Sequence, residues 1–136
     1  GVRMRRYETM VIIDAMIAED AIEQELDAIV SRIEENEGKL LFKDIWGKRK
    51  LAYEIKRKSH GFYAVFYYEA DRTVPKLLER DFRIDENILR WMTLVDQPIP
   101  ADIVTAMQTS KEQRRSAVEE IDTPVEPVIL EKEEEI

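Results

Sequence analysis

The chain has 136 residues, 44% of them hydrophobic and 37% charged, and a formal charge of −8. That length suits one small domain plus extra sequence; no apolar run nears the roughly 18 residues of a membrane span, and no charged-then-apolar leader opens the chain, so a secretory signal is not expected. With no cysteine, disulfides and thiolate metal sites are excluded, which fits a reducing compartment.

Residues 6–13, "RYETMVII", read as a strand. Tyr7, Thr9, Val11 and Ile13 share one face, with Arg6, Glu8, Met10 and Ile12 opposite. Next, Ile22, Leu26, Ile29, Val30 and Ile33 form one helical stripe. Asp20 with Glu23 resembles a capping box, and Gly38 is expected to close the helix in the left-handed conformation. Residues 39–56 read as one long strand with a bulge or bend at Gly47. Beyond the glycine, Leu51, Tyr53 and Ile55 share a face with Arg49, and these three apolar residues are expected to hold the strand to the core. Lys48, Lys50, Ala52, Glu54 and Lys56 take the other face. A turn is expected at 57–61, "RKSHG". Residues 62–70, "FYAVFYYEA", are apolar on both sides, as a central strand is. Thr73 is the expected N-cap of a second helix, with Pro75 in its first turn and a stripe of Val74, Leu77, Leu78 and Phe82. Residues 84–87 connect to a last strand, 88–95, "ILRWMTLV".

The order β-α-β-β-α-β predicts an α+β, ferredoxin-like fold: a four-stranded antiparallel sheet with two helices on one face and the other face open. The folded domain is expected over residues 4–97. Pro98 and Pro100 end it. Residues 98–136 read as an acidic, mostly disordered tail, with a transient helix over 101–121.

Charge is unevenly placed. Residues 98–136 carry −6, and residues 14–37 hold nine acids against Arg32 alone, so the remainder of the chain carries +6. An acidic total therefore hides a basic surface. "WGKRKLAYEIKRK" at 46–58 concentrates it. Lys48, Lys50 and Lys56 lie on one strand face, Arg57 and Lys58 extend that face into the turn, and Arg3, Arg5 and Arg6 arrive at the start of the first strand. Lysines and arginines that neutralise phosphates release counterions and bind in a salt-dependent way; the competing reading is an edge strand kept soluble by lysines. "HGFYAVFY" at 60–67 partly echoes an RNA-recognition octamer through Gly61, Phe62, Val65 and Tyr67. Ala64, however, replaces the base-stacking aromatic, so a core-filling strand is the better reading.

An enzyme has less support. The lone His60 reads as a polar surface residue, "WGKRK" lacks the second glycine and the hydroxyl of a phosphate loop, and no serine sits in a nucleophile elbow. An acylphosphatase-like site needs an anion-binding loop after the first strand, yet that loop is the acidic "DAMIAED" of 14–20. No cofactor and no metal site are expected.

"MRRYE" at 4–8, "WGKRKLAYEIKRKSHGFY" at 46–63 and "DFRIDENILRWM" at 81–92 resemble the family of the sixth protein of the bacterial small ribosomal subunit. The resemblance covers residues 4–97, and its most specific part is Gly47, Arg49, Leu51, Ala52, Tyr53 and Ile55. Two positions depart: Glu54 stands where the family often has proline, and Leu89 where it often has a base. The resemblance implies a ferredoxin-like fold, no catalysis, and binding to the central domain of small-subunit rRNA as a heterodimer with the eighteenth small-subunit protein. It maps RNA contacts onto Arg5, Arg6, Lys48, Arg49, Lys50 and Arg90, to which the charge pattern adds Lys56, Arg57 and Lys58. Strand parity offers the open sheet face, with Met10, Tyr63, Tyr67 and Met92, to the protein partner.

Overall fold

The computed structural model describes residues 4–107. Contacts divide the chain into Gly1–Pro98 and Ile99–Ile136. The first unit holds β1 (Arg5–Asp14), α1 (Glu19–Glu35), β2 (Lys39–Ile55), β3 (Lys58–Ala70), α2 (Thr73–Ile84) and β4 (Ile88–Val95). The strands form one sheet in the order β2-β3-β1-β4, with every neighbouring pair antiparallel. This is the ferredoxin-like α+β arrangement, and β3, the strand with apolar residues on both faces, is internal. In the second unit, residues 101–107 are helical, opening with the Ile103 and Val104 N–H groups on the Pro100 carbonyl. The expectations of disorder over 108–136 and of helix over 108–121 lie outside the described residues.

Alternation in β1 and β3 sorts their side chains. Tyr7, Val11 and Ile13 join Ala64, Phe66, Tyr68 and Ala70 beneath the helices. There they meet Ile22, Leu26, Ile29 and Ile33 of α1 and Val74, Leu78 and Phe82 of α2. Each large side chain so buried contributes roughly 1.5–3 kcal/mol. Thr9 on the same face is polar and fully buried. Its hydroxyl is satisfied twice, by the Tyr68 hydroxyl at 2.9 Å and Thr93 Oγ1 at 2.8 Å. Burial pushes the Tyr68 phenol up to about 12 despite that bond. Arg32, the one base of the acidic stretch, makes a two-pronged bond to Asp81 at 2.8 and 2.9 Å that ties α1 to α2.

The helix ends differ from expectation. Helix α1 starts after Ala18, whose carbonyl accepts from Ala21 and Ile22 at 3.0 Å. No side chain caps it, so Asp20 does not act as a capping box. Glu19 and Asp20 sit in the first turn, where the helix dipole favours acids. Helix α2 starts one residue before the expected N-cap geometry allows: Arg72 is the N-cap, and the Asp71 carboxylate accepts from the Thr73 N–H at 2.8 Å. At the end of α1 the left-handed residue is Glu37, with φ 64°, and not Gly38. The Glu37 N–H bonds to the Glu34 carbonyl at 3.2 Å and the Gly38 N–H to the Ile33 carbonyl at 2.8 Å, a Schellman closure. Gly38 is needed for a different reason: a Cβ there would lie 2.8 Å from the Ile33 carbonyl oxygen. A glutamate in the left-handed region is strained, so Glu37→Gly is expected to stabilise the domain by about 0.5–1 kcal/mol, read by urea denaturation.

Two further expectations change at the β2–β3 hairpin. The chain reverses at Lys56–Arg57, not over 57–61, and β3 already begins at Lys58, so His60 is a strand residue paired with Lys50. Leu51 is buried, but not under the helices: it packs with Ile12 and Leu89 on the helix-free face, with Ile55 and Tyr63 against them. Tyr53 is 67% exposed and holds nothing. Leu51 keeps the alternation of Arg49, which lies opposite Gly61 on the helix-free side; Tyr53 lies where the ladder breaks, because between Lys50↔His60 and Ile55↔Lys58 residues 51–54 face only Ser59. Gly61 makes room for this small cluster, because a Cβ there would lie 2.4 Å from Ile12 Cγ2.

Candidate nucleic-acid interface

Register assigns each candidate to a face and an end of the sheet. Pairing through Tyr63↔Ile12 and Ile12↔Arg90 places Gly47, Tyr63, Ile12 and Arg90 in one row on the helix-free face. The next row holds Asp44, Val65, Met10 and Met92, and the one after it Phe42, Tyr67, Glu8 and Leu94. Met10, Tyr63, Tyr67 and Met92 therefore do share the open face. Met92 is 49% exposed, whereas Tyr67 is almost covered at 5% and offers little area. Arg49, opposite Gly61, is on this face too. Its shared parity with Leu51 holds, but the side they share is the open one. Arg49 therefore reaches outward from the body of the strand. Lys48, paired with Phe62, and Lys50 occupy the other face and are exposed.

The basic residues fall into two groups. Lys48, Arg49, Lys50, Lys56, Arg57, Lys58 and Arg90 gather toward the β2–β3 hairpin. Arg5 and Arg6 pair with Ala70 and Glu69 at the far end of β3. From Gly61 to Ala70 the strand runs roughly 30 Å at about 3.3 Å per residue. The distant pair is also engaged at home. The Arg5 guanidinium donates to the Asp96 carboxylate, an interaction that raises the arginine's pKa and lowers the aspartate's. Arg6 donates to the Gln97 carbonyl at 2.9 Å.

At the hairpin the picture differs. Among the described residues, the ion pairs leave out Lys48, Arg49, Lys50, Lys56, Arg57 and Arg90. Lys56 Nζ donates to the Ile88 carbonyl at 3.3 Å. Lys58 is the exception, bonded at 3.0 Å to Asp14, whose side chain is 8% exposed. Burial pushes the Asp14 carboxyl up, but the Met16 N–H at 2.9 Å and Lys58 outweigh it and hold its pKa below the usual value. Leu89, where the family pattern is often basic, is buried against Ile12 and Leu51, a place that would desolvate a cation. The acids of α1 lie on the helix layer. Among them burial and Asp85 push Glu25 up to about 7, so it carries only part of its charge near neutral pH.

The turn itself is informative. Lys56 and Arg57 both have positive φ, 51° and 65°, the demand of a two-residue type I′ hairpin usually met by Asn-Gly. Two long basic residues there cost stability, and what they add is charge. Lys56→Asn with Arg57→Gly is expected to raise stability by about 1 kcal/mol or more while removing two positive charges from the hairpin. Urea denaturation reads the effect.

Sequence reasoning passed over Trp46. The ladder steps from Ile45↔Ala64 to Gly47↔Tyr63, so Trp46 is the extra residue of a bulge, with Gly47 at φ +88°. Its ring stacks on Tyr63, centroids 5.9 Å apart and planes 10° apart, and the Arg49 guanidinium carbon lies 5.6 Å from its centroid. The available signal was an aromatic residue beside a bulge glycine inside a basic run. Ala64, by contrast, is buried under the helices, as the core-filling reading expected.

Among the described residues no cluster of histidine and acidic side chains could hold a metal ion, and no helix is long and apolar enough to cross a membrane. The family model described as Ribosomal protein S6 matches residues 6–94. A small ribosomal subunit protein bS6 from Clostridium botulinum is 38% identical over 94 residues, covering 69% of this chain and 100% of that one. One from Streptomyces griseus is 41% identical over 91 residues, covering 67% and 95%. The crystal structure of 30S ribosomal protein S6 from Thermotoga maritima superposes with a TM-score of 0.65 at 31% identity, covering 80% of this chain and 99% of that one.

Proposed function

The chain belongs to the ribosomal protein S6 family of the small subunit, whose members are structural ribosomal proteins and not enzymes; from that premise we propose that it binds the central domain of small-subunit rRNA together with the eighteenth small-subunit protein and supports assembly of the subunit in the cytoplasm. The observation that carries the RNA half is the set of exposed cations at the hairpin that have no ion pair among the described residues, Lys48, Arg49, Lys50, Arg57 and Arg90. Cations already neutralised by carboxylates gain little from phosphate; among the described residues these have no such competitor. Arginine and lysine heads grip phosphates and set orientation, and shape supplies selectivity. Arg5 and Arg6, at the other end of the sheet, serve a separate stretch of RNA and must first leave Asp96 and the Gln97 carbonyl. Lys56 and Lys58 add positive potential to the hairpin group.

The protein partner is assigned to the middle of the open face, around Met10 and Met92, with Leu94 at its edge. Exposed apolar area there is what a protein surface covers. The tagged full chain is expected to sediment with small subunits from cell lysate and to be released by nuclease. Sedimentation as a free protein in undigested lysate would count against the reading.

A further inference from the structure

Trp46 is 43% exposed, yet it is not loose. Tyr63 supports it through the near-parallel stack, and its Nε1 donates to Asp44 Oδ2 at 3.0 Å. Tyr63 is in turn packed against the Ile12, Leu51 and Leu89 cluster. An indole fixed by a hydrogen bond and a ring stack, and still open to water, is a preformed stacking surface. A core-filling tryptophan would be covered. Two cations on this face have the sign that a nucleotide needs, against one carboxylate, Asp44. Arg49 lies against the ring, and Arg90 is exposed in the same row of the face. Among the described residues neither takes part in an ion pair, and the nearby carboxylate, Asp44, is occupied by the indole N–H.

We propose that Trp46 and Arg49 form a stacking site for one unpaired RNA nucleotide, the base lying on the indole and a flanking phosphate on Arg49, with Arg90 adding positive potential farther along the row. This rests on the RNA reading above and moves Tyr63 from the protein partner to the RNA. Base–aromatic stacking outweighs an exposed cation–π interaction, so an incoming base takes the ring and the guanidinium turns to the phosphate. Arginine beside an aromatic platform is the chemistry that single strands use, and it reads no sequence. A duplex keeps its bases stacked inside and gains nothing from Trp46.

The test uses the full chain with Trp91→Phe, which leaves Trp46 as the sole tryptophan and keeps a ring against Phe82. The probes are an unstructured single-stranded RNA decamer and a duplex RNA of the same length. Trp46 emission is expected to be quenched by the single strand and little changed by the duplex. In the native background, Trp46→Ala is expected to weaken single-strand binding about 10-fold and to leave duplex binding within about twofold, while Trp46→Phe retains most of the affinity. Single-strand affinity unchanged in Trp46→Ala, with duplex binding intact, overturns the stacking site and leaves the RNA reading standing. Binding of neither probe by the unmodified chain overturns both. Loss of protein-partner binding in Trp46→Ala with single-strand binding intact makes the face a protein interface and overturns the proposal.

Discussion

Replacing Lys48, Arg49 and Lys50 together with glutamate should lower RNA affinity by at least about 100-fold at moderate salt and leave the domain folded. Removing cations that neutralise phosphates weakens binding whatever the sequence, and the slope of log affinity against log salt should flatten by about 2–3, near 0.7–0.9 per cation removed. Stability should hold because the three side chains are exposed and, among the described residues, have no ion pair. Surface changes of that kind usually fall within about 0.5 kcal/mol each. Filter binding across a salt series, beside a urea curve, measures both quantities. An unchanged salt slope in a folded variant would remove these residues from the interface. The same reversal at Arg5 is a poorer probe. It breaks the ion pair with Asp96 that joins the start of β1 to the end of β4, so any weakening of RNA binding mixes electrostatics with a loosened strand end.

How much of this was legible follows from which physics acts locally. Periodicity decides which face of a long regular element is apolar, so the α1 and α2 stripes and the Tyr7, Thr9, Val11, Ile13 face could be read directly. Parity stops being informative where the ladder breaks. The extra residue at Trp46 and the crowding of residues 51–54 against Ser59 are register events, and register is settled by tertiary pairing. That is why Leu51 emerged on the open face, Tyr53 in water, and Trp46 over Tyr63. Caps failed for a related reason: Ala18 and Arg72, which precede the helices, are not good N-cap residues, so packing of the stripe and not cap chemistry sets the start. Distance along the sheet is absent from composition altogether. Arg5, Arg6 and the 48–50 run looked like one basic surface, yet the fold sets them at opposite ends of β3. The pairing of Arg32 with Asp81, and of Lys58 with Asp14, likewise exists only once remote segments meet.

Lys58 separates structural from RNA-facing charge, and Lys58→Met is expected to lower stability at pH 7 by about 1–3 kcal/mol. Removing one partner of a buried ion pair typically costs about 3–5 kcal/mol. The smaller figure applies because the Lys58 side chain is 39% exposed, so water partly replaces it. The pH dependence isolates the part that charge plays. In the unmodified chain the Asp14 pKa lies below its usual value, so the native state binds this proton less readily than the unfolded chain does. Its contribution is therefore present above the usual carboxylate pKa, near 4, and is lost as pH falls through the depressed native value. Without Lys58, burial dominates and the Asp14 pKa rises. The variant's deficit should then shrink as pH falls and the carboxyl takes up its proton. Asp14→Asn in the Lys58→Met background should recover most of the stability at pH 7 and abolish the pH-dependent part, a coupling that a double-mutant cycle reads directly. A deficit that stays constant from pH 7 to 4 would mean Lys58 acts through its aliphatic stem and not its charge. RNA binding supplies the second arm. Asp14 already neutralises Lys58, so its removal should flatten the salt slope far less than removal of any one cation of the 48–50 run. An equal change would place Lys58 among the residues that grip phosphate in spite of its bond to Asp14.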